Sequence, residues 1–116
     1  MSQKYYKEAI TLVQSNSIPE LKILVTTDDT AYAKDFFSDI PIAQFVGPDD
    51  HSDWETLASM VRAKEFIGTN STLSWWGNYL RMKRGLRSYS PARWLIHDDE
   101  IRDAALRISG VIYLNS

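Results

Sequence analysis

Apolar and polar residues alternate along the chain in a pattern that predicts short strands separated by helices. Apolar residues at helical spacing, or a capping residue before them, predict helices over residues 5–13, 31–37, 53–63, 72–82 and 100–108. Short apolar or β-branched runs predict strands over residues 21–25, 42–46, 65–68, 86–89 and 111–114. Because the predicted helices and strands alternate along the chain, the sequence predicts an α/β domain with a parallel sheet and helices on both faces.

The composition is that of one globular domain over residues 1–116, because 44% of the residues are hydrophobic. Thirteen basic and fifteen acidic residues give a net charge of −2. A general nucleic-acid binder usually carries a basic excess, so we expect no nucleic-acid partner. The sequence has no cysteine, which excludes disulfides, thiolate catalysis and cysteine zinc sites. It shows no long apolar run and no signal peptide, so we expect no membrane span and a cytoplasmic location.

The helix predicted over 72–82 carries two further features. Its tryptophans, Trp75 and Trp76, are adjacent and cannot both face one side of a helix. One is expected to pack on the sheet, and the other to meet a partner domain or a neighbouring loop. Basic residues cluster near its end, where cations suit the helix dipole, and we interpret them as a solvated helix end. The cluster consists of Arg81, Lys83, Arg84 and Arg87.

The turn after the strand predicted over 65–68 is the most informative segment. Asn70, Ser71 and Thr72 stand where a strand ends and a helix begins. The first N–H groups of a helix lack intrahelical partners and lie at its positive end, so phosphate oxygens are natural ligands there. The alternative interpretation is simple N-capping. Ser74 is expected to lie too deep in the helix for direct contact with a ligand.

Two acidic segments are further candidates for binding. Asp28 and Asp29 follow the strand predicted over 21–25, where their carboxylates could accept hydrogen bonds from a base or ribose. Asp53 and Glu55 stand at the start of the helix predicted over 53–63, where a carboxylate could bind a guanine edge. Helix capping by Asp29, and a capping box of Ser52 with Glu55, are the alternatives.

Motifs for catalysis and metal binding are missing from the sequence. No nucleophile–base arrangement is visible, and the phosphate motifs GxGxxG and GxxxxGK[ST] are absent. The acidic residues Asp49, Asp50 and Asp53 lack the spacing and the glycine of an EF-hand. His51 and His97 lie far apart in the sequence and form no zinc motif. We therefore expect no metal site.

Five segments resemble those of one enzyme family. Residues 70–80 read NSTLSWWGNYL, residues 5–10 read YYKEAI, and residues 24–29 read LVTTDD. Residues 57–67 carry Leu57, Met60 and Ile67, and residues 90–95 read SPARWL. In this order they resemble the NS[ST]FSWWGA, YYxxAI, FxxFSDD, LxxMSxCxxxI and APxxWF segments of the α-1,2-fucosyltransferases, glycosyltransferase family 11. The segment at 70–77 is the most specific of them.

The resemblance implies a Rossmann-like three-layer domain with a parallel sheet, similar to the C-terminal half of a GT-B glycosyltransferase. It implies GDP-fucose as the donor substrate, no metal or other cofactor, and a glycan acceptor in the full enzyme. By position, Ser71 and Thr72 would meet the diphosphate of the donor. Asp28 and Asp29 would flank the nucleotide pocket.

Two departures from the family pattern leave alternatives open. The family carries an acidic residue where Thr56 stands, and Asp53 or Glu55 could replace it only if the helix begins differently, so another nucleotide sugar stays possible. The family's His-x-Arg-Arg-Gly-Asp motif does not occur in the sequence. We therefore expect the N-terminal catalytic half to be absent and the chain alone to transfer no fucose. A non-catalytic nucleotide-binding or protein-interaction module stays an alternative, and an uncovered apolar surface would favour self-association.

Overall fold

The computed structural model describes residues 2–16, 21–92 and 106–115. Helices and strands alternate over the first five elements, as the sequence pattern predicts, and one helix and two strands then follow among the described residues. Their order along the chain is α1 (Gln3–Asn16), β1 (Leu24–Thr26), α2 (Thr30–Phe36), β2 (Gln44–Val46), α3 (Asp53–Arg62), α4 (Thr72–Lys83), β3 (Ser88–Pro91) and β4 (Val111–Leu114). None of the helices in the described ranges is long and apolar enough to cross a membrane.

The strands form two parallel pairs. Strand β1 pairs with β2 so that Val25 lies opposite Phe45, and β3 pairs with β4 so that Tyr89 lies opposite Ile112. The strand predicted over 65–68 is reduced to a single parallel bridge between Ile67 and Tyr89. The prediction of an α/β domain with parallel strands is confirmed.

The strand predicted over 86–89 is displaced along the chain. Strand β3 begins at Ser88 rather than at position 86, because the N–H of Leu86 still donates to the carbonyl of Arg81 in the turn that ends α4. Gly85 has the positive φ of 69° that this turn requires. Pro91, predicted in a loop, is the last residue of β3 and pairs with Leu114. The rest of that predicted loop, residues 93–94, lies outside the described residues.

The predicted C-terminal helix is described only in its last residues. Positions 100–105 of the helix predicted over 100–108 lie outside the described residues, and positions 106–108 are not helical. The N–H of Ile108 donates to the Tyr113 hydroxyl at 2.7 Å, so the chain is already turning towards β4. For residues 106–108 the helix prediction is wrong.

The hydrophobic core lies between α1 and the pair β3–β4. Tyr5, Ala9 and Val13 recur at helical spacing on one side of α1 and are buried against Tyr89 and Leu114. Neighbouring rings then join α1 to α2. Tyr6 of α1 makes edge-to-face contacts with the rings of Phe36 and Phe37, with ring centroids 5.8 and 5.2 Å apart.

Helix α3 contrasts with this core, because none of its side chains is buried. Trp54 is 80% exposed and Leu80 of the neighbouring α4 is 36% exposed. Between them lies a shallow groove, which we call the α3–α4 face. It is lined by Trp54, Leu57, Ala58, Val61 and Leu80, with Arg62 and Arg84 at one end. Trp54 is therefore open to solvent, whereas Leu57, Ala58 and Val61 of the same stripe are half-buried.

The interpretation of the basic cluster as a solvated helix end is wrong for Arg81. Its side chain is fully buried, and its Nε donates to the Ser88 hydroxyl at 2.8 Å. Its guanidinium also donates to backbone carbonyls at the end of α3 and just before β3, namely those of Met60, Val61, Ala63, Lys64 and Arg87. Burial lowers the pKa of Arg81, although the group stays charged at neutral pH. Arg81 thus caps α3 from the side of α4, whereas Lys83, Arg84 and Arg87 are exposed as predicted.

Candidate functional site

The start of α4 is built by hydroxyl groups. Ser71 is the N-cap, and its Oγ accepts hydrogen bonds from the N–H of Ser74 at 3.1 Å and from the hydroxyl of Thr69 at 3.3 Å. Because this oxygen acts as the acceptor in both bonds, the hydroxyl hydrogen of Ser71 is left for another acceptor. The N-capping interpretation is therefore confirmed, and it does not consume the donor that a phosphate would need.

Ser74 closes the turn from below. It is buried, and its Oγ accepts a hydrogen bond from the N–H of Thr69 at 3.2 Å and lies 3.2 Å from the Thr69 hydroxyl. Since the Thr69 hydroxyl donates to Ser71, Ser74 is the donor in this second bond. The expectation that Ser74 lies too deep for ligand contact is confirmed. The only sequence signal for its role in holding the turn is that Ser71 and Thr69, which also carry hydroxyl groups, precede Ser74 by three and five positions.

A second anchor holds the turn from the hydrophobic core. The hydroxyl of Tyr5 donates to the carbonyl of Gly68 at 2.6 Å, one residue before Thr69. Burial raises the pKa of Tyr5, so its hydroxyl stays protonated and remains a donor at all ordinary pH values. Sequence reasoning missed this contact, because residues 5 and 68 are joined only by the fold.

Backbone donors at the start of α4 are free among the described residues. The N–H groups of Thr72 and Leu73 have no partner within those ranges, whereas the N–H of Trp75 already donates to the carbonyl of Ser71 at 3.0 Å. The side chains of Asn70 and Thr72 are exposed beside them. With the Ser71 hydroxyl, two amide donors thus stand at the positive end of a twelve-residue helix. An anion with several oxygens suits such a set.

The first acidic segment lies at the end of β1 and is partly used for capping. An oxygen of Asp29 accepts from the N–H of Tyr32 at 3.0 Å, so Asp29 is the N-cap of α2, as the capping alternative predicted. The hydroxyl of Thr27 accepts from the N–H of Asp29 at 3.1 Å and fixes the same turn. Asp28 is exposed, and its carboxylate has no hydrogen bond or ion pair within the described ranges. Of the two carboxylates, Asp28 is the one left for a ligand.

The second acidic segment is a capping box. The Ser52 hydroxyl accepts from the N–H of Glu55 at 3.2 Å, and the Glu55 carboxylate accepts from the N–H of Ser52 at 3.0 Å. These bonds from Ser52 lower the pKa of Glu55. Asp53 is exposed in the first turn of α3, and Thr56 is half-buried one turn into the helix. Glu55 is therefore occupied by its own helix end, whereas Asp53 is accessible.

Two of the three loops meet in the structure. The N–H of Thr27 donates to the carbonyl of Val46 at 3.0 Å, which brings the loop after β1 beside the loop after β2. A Cβ added at Gly47 would lie 2.7 Å from Oγ1 of Thr30, so only glycine fits this close approach. In the described ranges, no hydrogen bond or ion pair joins these loops to the turn at 69–72. The described ranges also contain no group of three acidic or histidine side chains that could hold a metal ion.

The adjacent tryptophans of α4 contact each other edge to face, with ring centroids 5.0 Å apart, and they differ in what else they contact. The indole N–H of Trp75 donates to the carbonyl of Leu106 at 2.7 Å, and its ring stacks on Tyr79 with centroids 5.6 Å apart. Trp76 is 48% exposed. The chain segment before β4 therefore covers Trp75, whereas Trp76 contacts Trp75 and Tyr79 and keeps about half of its surface exposed.

Comparison with known proteins gives one match. The family model described as Glycosyl transferase family 11 matches residues 2–106, which is most of the chain and includes all seven candidate binding residues. No curated protein and no solved structure matches the chain.

Proposed function

The chain belongs to glycosyl transferase family 11, and from this premise we propose that it is the donor-binding domain of a fucosyltransferase-like enzyme. In this proposal the domain is a Rossmann-like unit comparable to the C-terminal half of a GT-B glycosyltransferase. It holds the diphosphate of GDP-fucose at the start of α4. The partners are a nucleotide sugar and, in the full enzyme, a glycan acceptor.

One observation carries the proposal: the turn at 69–72 keeps donors free after it has capped its own helix. The Ser71 hydroxyl and the amides of Thr72 and Leu73 are not consumed by described residues. Free donors at the positive end of a helix stabilise phosphate oxygens through hydrogen bonds and through the helix dipole. The site then needs no metal, because partial charges and hydrogen bonds neutralise part of the diphosphate charge.

The base would be bound on the other side of the candidate site. Asp28 offers a free carboxylate at the carboxyl end of β1, the edge of a parallel sheet where ligands bind in α/β folds. A guanine edge presents N–H donors that a carboxylate can accept. A different nucleotide sugar is the second candidate, and it is favoured by Thr56, which stands where the family pattern has an acid and which is only half-buried.

Binding and transfer are separate questions in this proposal. In glycosyl transfer the bond between the sugar and the diphosphate breaks, and charge develops on the leaving phosphate oxygen. Catalysis requires groups held in place around that oxygen. The only fully buried cation of the described helices, Arg81, is bound to carbonyls at the far end of α4. We therefore expect nucleotide binding by this chain without transfer to a β-galactoside acceptor.

Calorimetric titration with GDP, UDP and GMP tests the proposal. We expect GDP to bind more tightly than UDP or GMP, because both the base and the second phosphate contribute. The key variant is Ser71→Asp, because aspartate is as good an N-cap as serine but repels a phosphate. We expect α4 to keep its thermal stability and the dissociation constant for GDP to rise about a hundredfold. Ser71→Ala removes one hydrogen bond to a charged group and should raise it about tenfold.

Ser15→Asp is the control, because it adds the same charge on the exposed last turn of α1 and should leave GDP affinity unchanged. If Ser71→Asp binds GDP as tightly as the wild type, the turn only caps a helix and the phosphate assignment is wrong. If UDP binds more tightly than GDP, the donor is a different nucleotide sugar. Failure of all three nucleotides to bind would favour a non-catalytic interaction module on this fold.

A further inference from the structure

The buried side of helix α4 is polar. Four residues of α4 are buried and none of them carries an apolar side chain: Ser74, Gly77, Asn78 and Arg81. Ser88 and Ser90 of the neighbouring strand β3 are buried as well. Helices usually pack on a sheet through apolar side chains, so a polar contact of this kind depends on hydrogen bonds.

Two of these polar groups lack a partner. Arg81 donates to the Ser88 hydroxyl at 2.8 Å, and Ser74 is bonded to the turn at 69–72. The side-chain oxygens of Asn78 and Ser90, in contrast, have no hydrogen-bond partner among the described residues. Asn78 is 1% exposed and Ser90 is fully buried, so bulk solvent does not reach either oxygen. Buried oxygens of this kind destabilise a fold unless a bound water satisfies them.

The register of the strands brings these two side chains together. The N–H of Gly68 donates to the carbonyl of Tyr89 at 2.8 Å, so Ser90 lies beside Gly68 in the parallel bridge. Because side chains alternate along a strand, Ser90 points to the same side of the sheet as Ser88, which is the side of α4. A Cβ added at Gly68 would lie 3.4 Å from Nδ2 of Asn78. The Asn78 amide therefore lies over the strand position next to Ser90.

The spacing along α4 leads to the same place. Ser88 binds Arg81 near the end of α4, whereas Ser90 lies beside Gly68, just before the turn that starts α4. Two residues of a strand span about 6.6 Å, which corresponds to about four residues of a helix. Counted back from Arg81, Ser90 is therefore level with residues 77–78. The two unpartnered oxygens belong to one buried spot between α4 and β3.

We propose that a buried water molecule binds between α4 and β3, held by the side-chain oxygens of Asn78 and Ser90. The amide oxygen of Asn78 only accepts hydrogen bonds, whereas the Ser90 hydroxyl donates or accepts. The water donates one hydrogen to Asn78 and forms its second bond with Ser90, which gives it the two polar partners that such a site needs. With the bonds of Ser74 and Arg81, the water fixes α4 at three successive turns. This inference does not rest on the proposed function.

A double-mutant cycle of Asn78→Ala and Ser90→Ala in the whole chain, measured by urea denaturation, tests the proposal. In the wild type, Ser90→Ala should raise the equilibrium constant for unfolding about tenfold, because the water loses one of its two partners. In the Asn78→Ala background the same change should raise it less than about twofold, since the bridge is already broken. Comparing the two backgrounds cancels the helix propensity that alanine adds at position 78.

Asn78→Leu sharpens the cycle, because leucine has the branched shape of asparagine but cannot bind water. The Ser90 hydroxyl is then left without a partner, so Ser90→Ala should be neutral or stabilising in this background. A change of sign between backgrounds is the signature expected of the water. Asn115→Ala with Ser109→Ala is the control, because both residues are exposed, and it should show no coupling.

A crystal structure identifies the group that couples the two residues. We expect one ordered water within about 3.2 Å of both oxygens in the wild type and none in Asn78→Leu. A direct hydrogen bond between Asn78 and Ser90, with no water between them, would overturn the proposal. Equal effects of Ser90→Ala in all three backgrounds, in proteins that keep the circular dichroism of the wild type, would also contradict it. If Ser90→Ala stabilises the wild type, the contact is dry and the proposal is wrong.

Discussion

Helix α1 buries three of its side chains against β3 and β4, whereas helix α3 buries none. Tyr5 and Ala9 of α1 are fully buried, so α1 is held along its length by apolar packing. Helix α3 is held at its two ends by polar groups. The capping box of Ser52 and Glu55 satisfies its first amides, and the guanidinium of Arg81 satisfies its last carbonyls.

This difference determines how the candidate site is supported. The turn at 69–72 follows Gly68, and Gly68 is tied to the core side of the domain through Tyr5. The same turn starts α4, and α4 is tied to α3 through Arg81. The turn at 69–72 therefore depends on both regions, by one hydrogen bond on the α1 side and by several hydrogen bonds on the α3 side. Breaking each connection separately measures what it contributes.

The largest effect is expected for Arg81→Met, which keeps the length and apolar surface of the side chain but removes every guanidinium donor. The carbonyls at the end of α3 and the Ser88 hydroxyl would lose their partner inside the protein. Each unsatisfied buried group costs about 1–3 kcal/mol, so we expect a loss of about 3 kcal/mol or more in the free energy of unfolding. Urea denaturation followed by circular dichroism measures it.

Lys83→Met is the matched control for Arg81→Met, because Lys83 is exposed on the same helix and binds no carbonyl of α3. It should change the free energy of unfolding by less than about 0.5 kcal/mol. If Arg81→Met costs no more than Lys83→Met, α3 is not held through its last carbonyls. The contrast between a packed helix and a helix held at its ends would then be wrong.

A smaller effect is expected on the α1 side for Tyr5→Phe. The ring stays in the core, but the buried carbonyl of Gly68 loses its donor, at a cost of about 1–2 kcal/mol. GDP affinity should fall as well, because the turn that begins at Thr69 loses an anchor. Urea denaturation and calorimetric titration measure the two effects.

Tyr6→Phe is the control, because the Tyr6 hydroxyl has no hydrogen bond within the described ranges although burial raises its pKa to about 12. It should leave both stability and GDP affinity unchanged. Equal effects of the two substitutions would show that the ring environment matters and the bond to Gly68 does not.

Helix starts could be predicted from sequence because capping is local chemistry. Asp29, Ser52 and Ser71 each bind an N–H three residues further along the chain, and the sequence alone specifies that spacing. The parallel pairing of strands also followed from the alternation of elements. The ends of strands were predicted less accurately. Leu86 was predicted in a strand, but its N–H donates to the turn that ends α4 rather than to a neighbouring strand.

Tertiary contacts could not be predicted in the same way. The basic run at 81–87 predicts an exposed helix end, and nothing in it separates Arg81 from Lys83, although one is buried and the other is not. Amphipathic spacing showed that Trp54 lies on an apolar stripe, but spacing does not tell what covers that stripe. The free donors of Ser71, Thr72 and Leu73 arise only in the folded turn. There the Thr69 hydroxyl donates to Ser71 and the Ser74 hydroxyl donates to Thr69, so the Ser71 hydroxyl hydrogen is not used.

The smallest expected effect concerns the pH dependence of the capping box on α3. The N–H and hydroxyl of Ser52 lower the pKa of Glu55 below its ordinary value of 4.5, so the folded state favours the charged carboxylate. The stabilisation is therefore fully present above that value and is lost as the pH falls through the lower pKa of the folded state. Glu55→Gln keeps the box but does not titrate.

The difference in stability between the wild type and Glu55→Gln isolates this contribution, because other titrating groups cancel. We expect the wild type to be the more stable at pH 6 and the difference to shrink at pH 3.5, both as rough choices on either side of the titration. Urea denaturation at the two pH values measures it. A difference that stays constant would mean that the Glu55 charge adds nothing to the cap. Helix α3 would then be held at its start by the hydrogen bonds of the capping box without a contribution from charge.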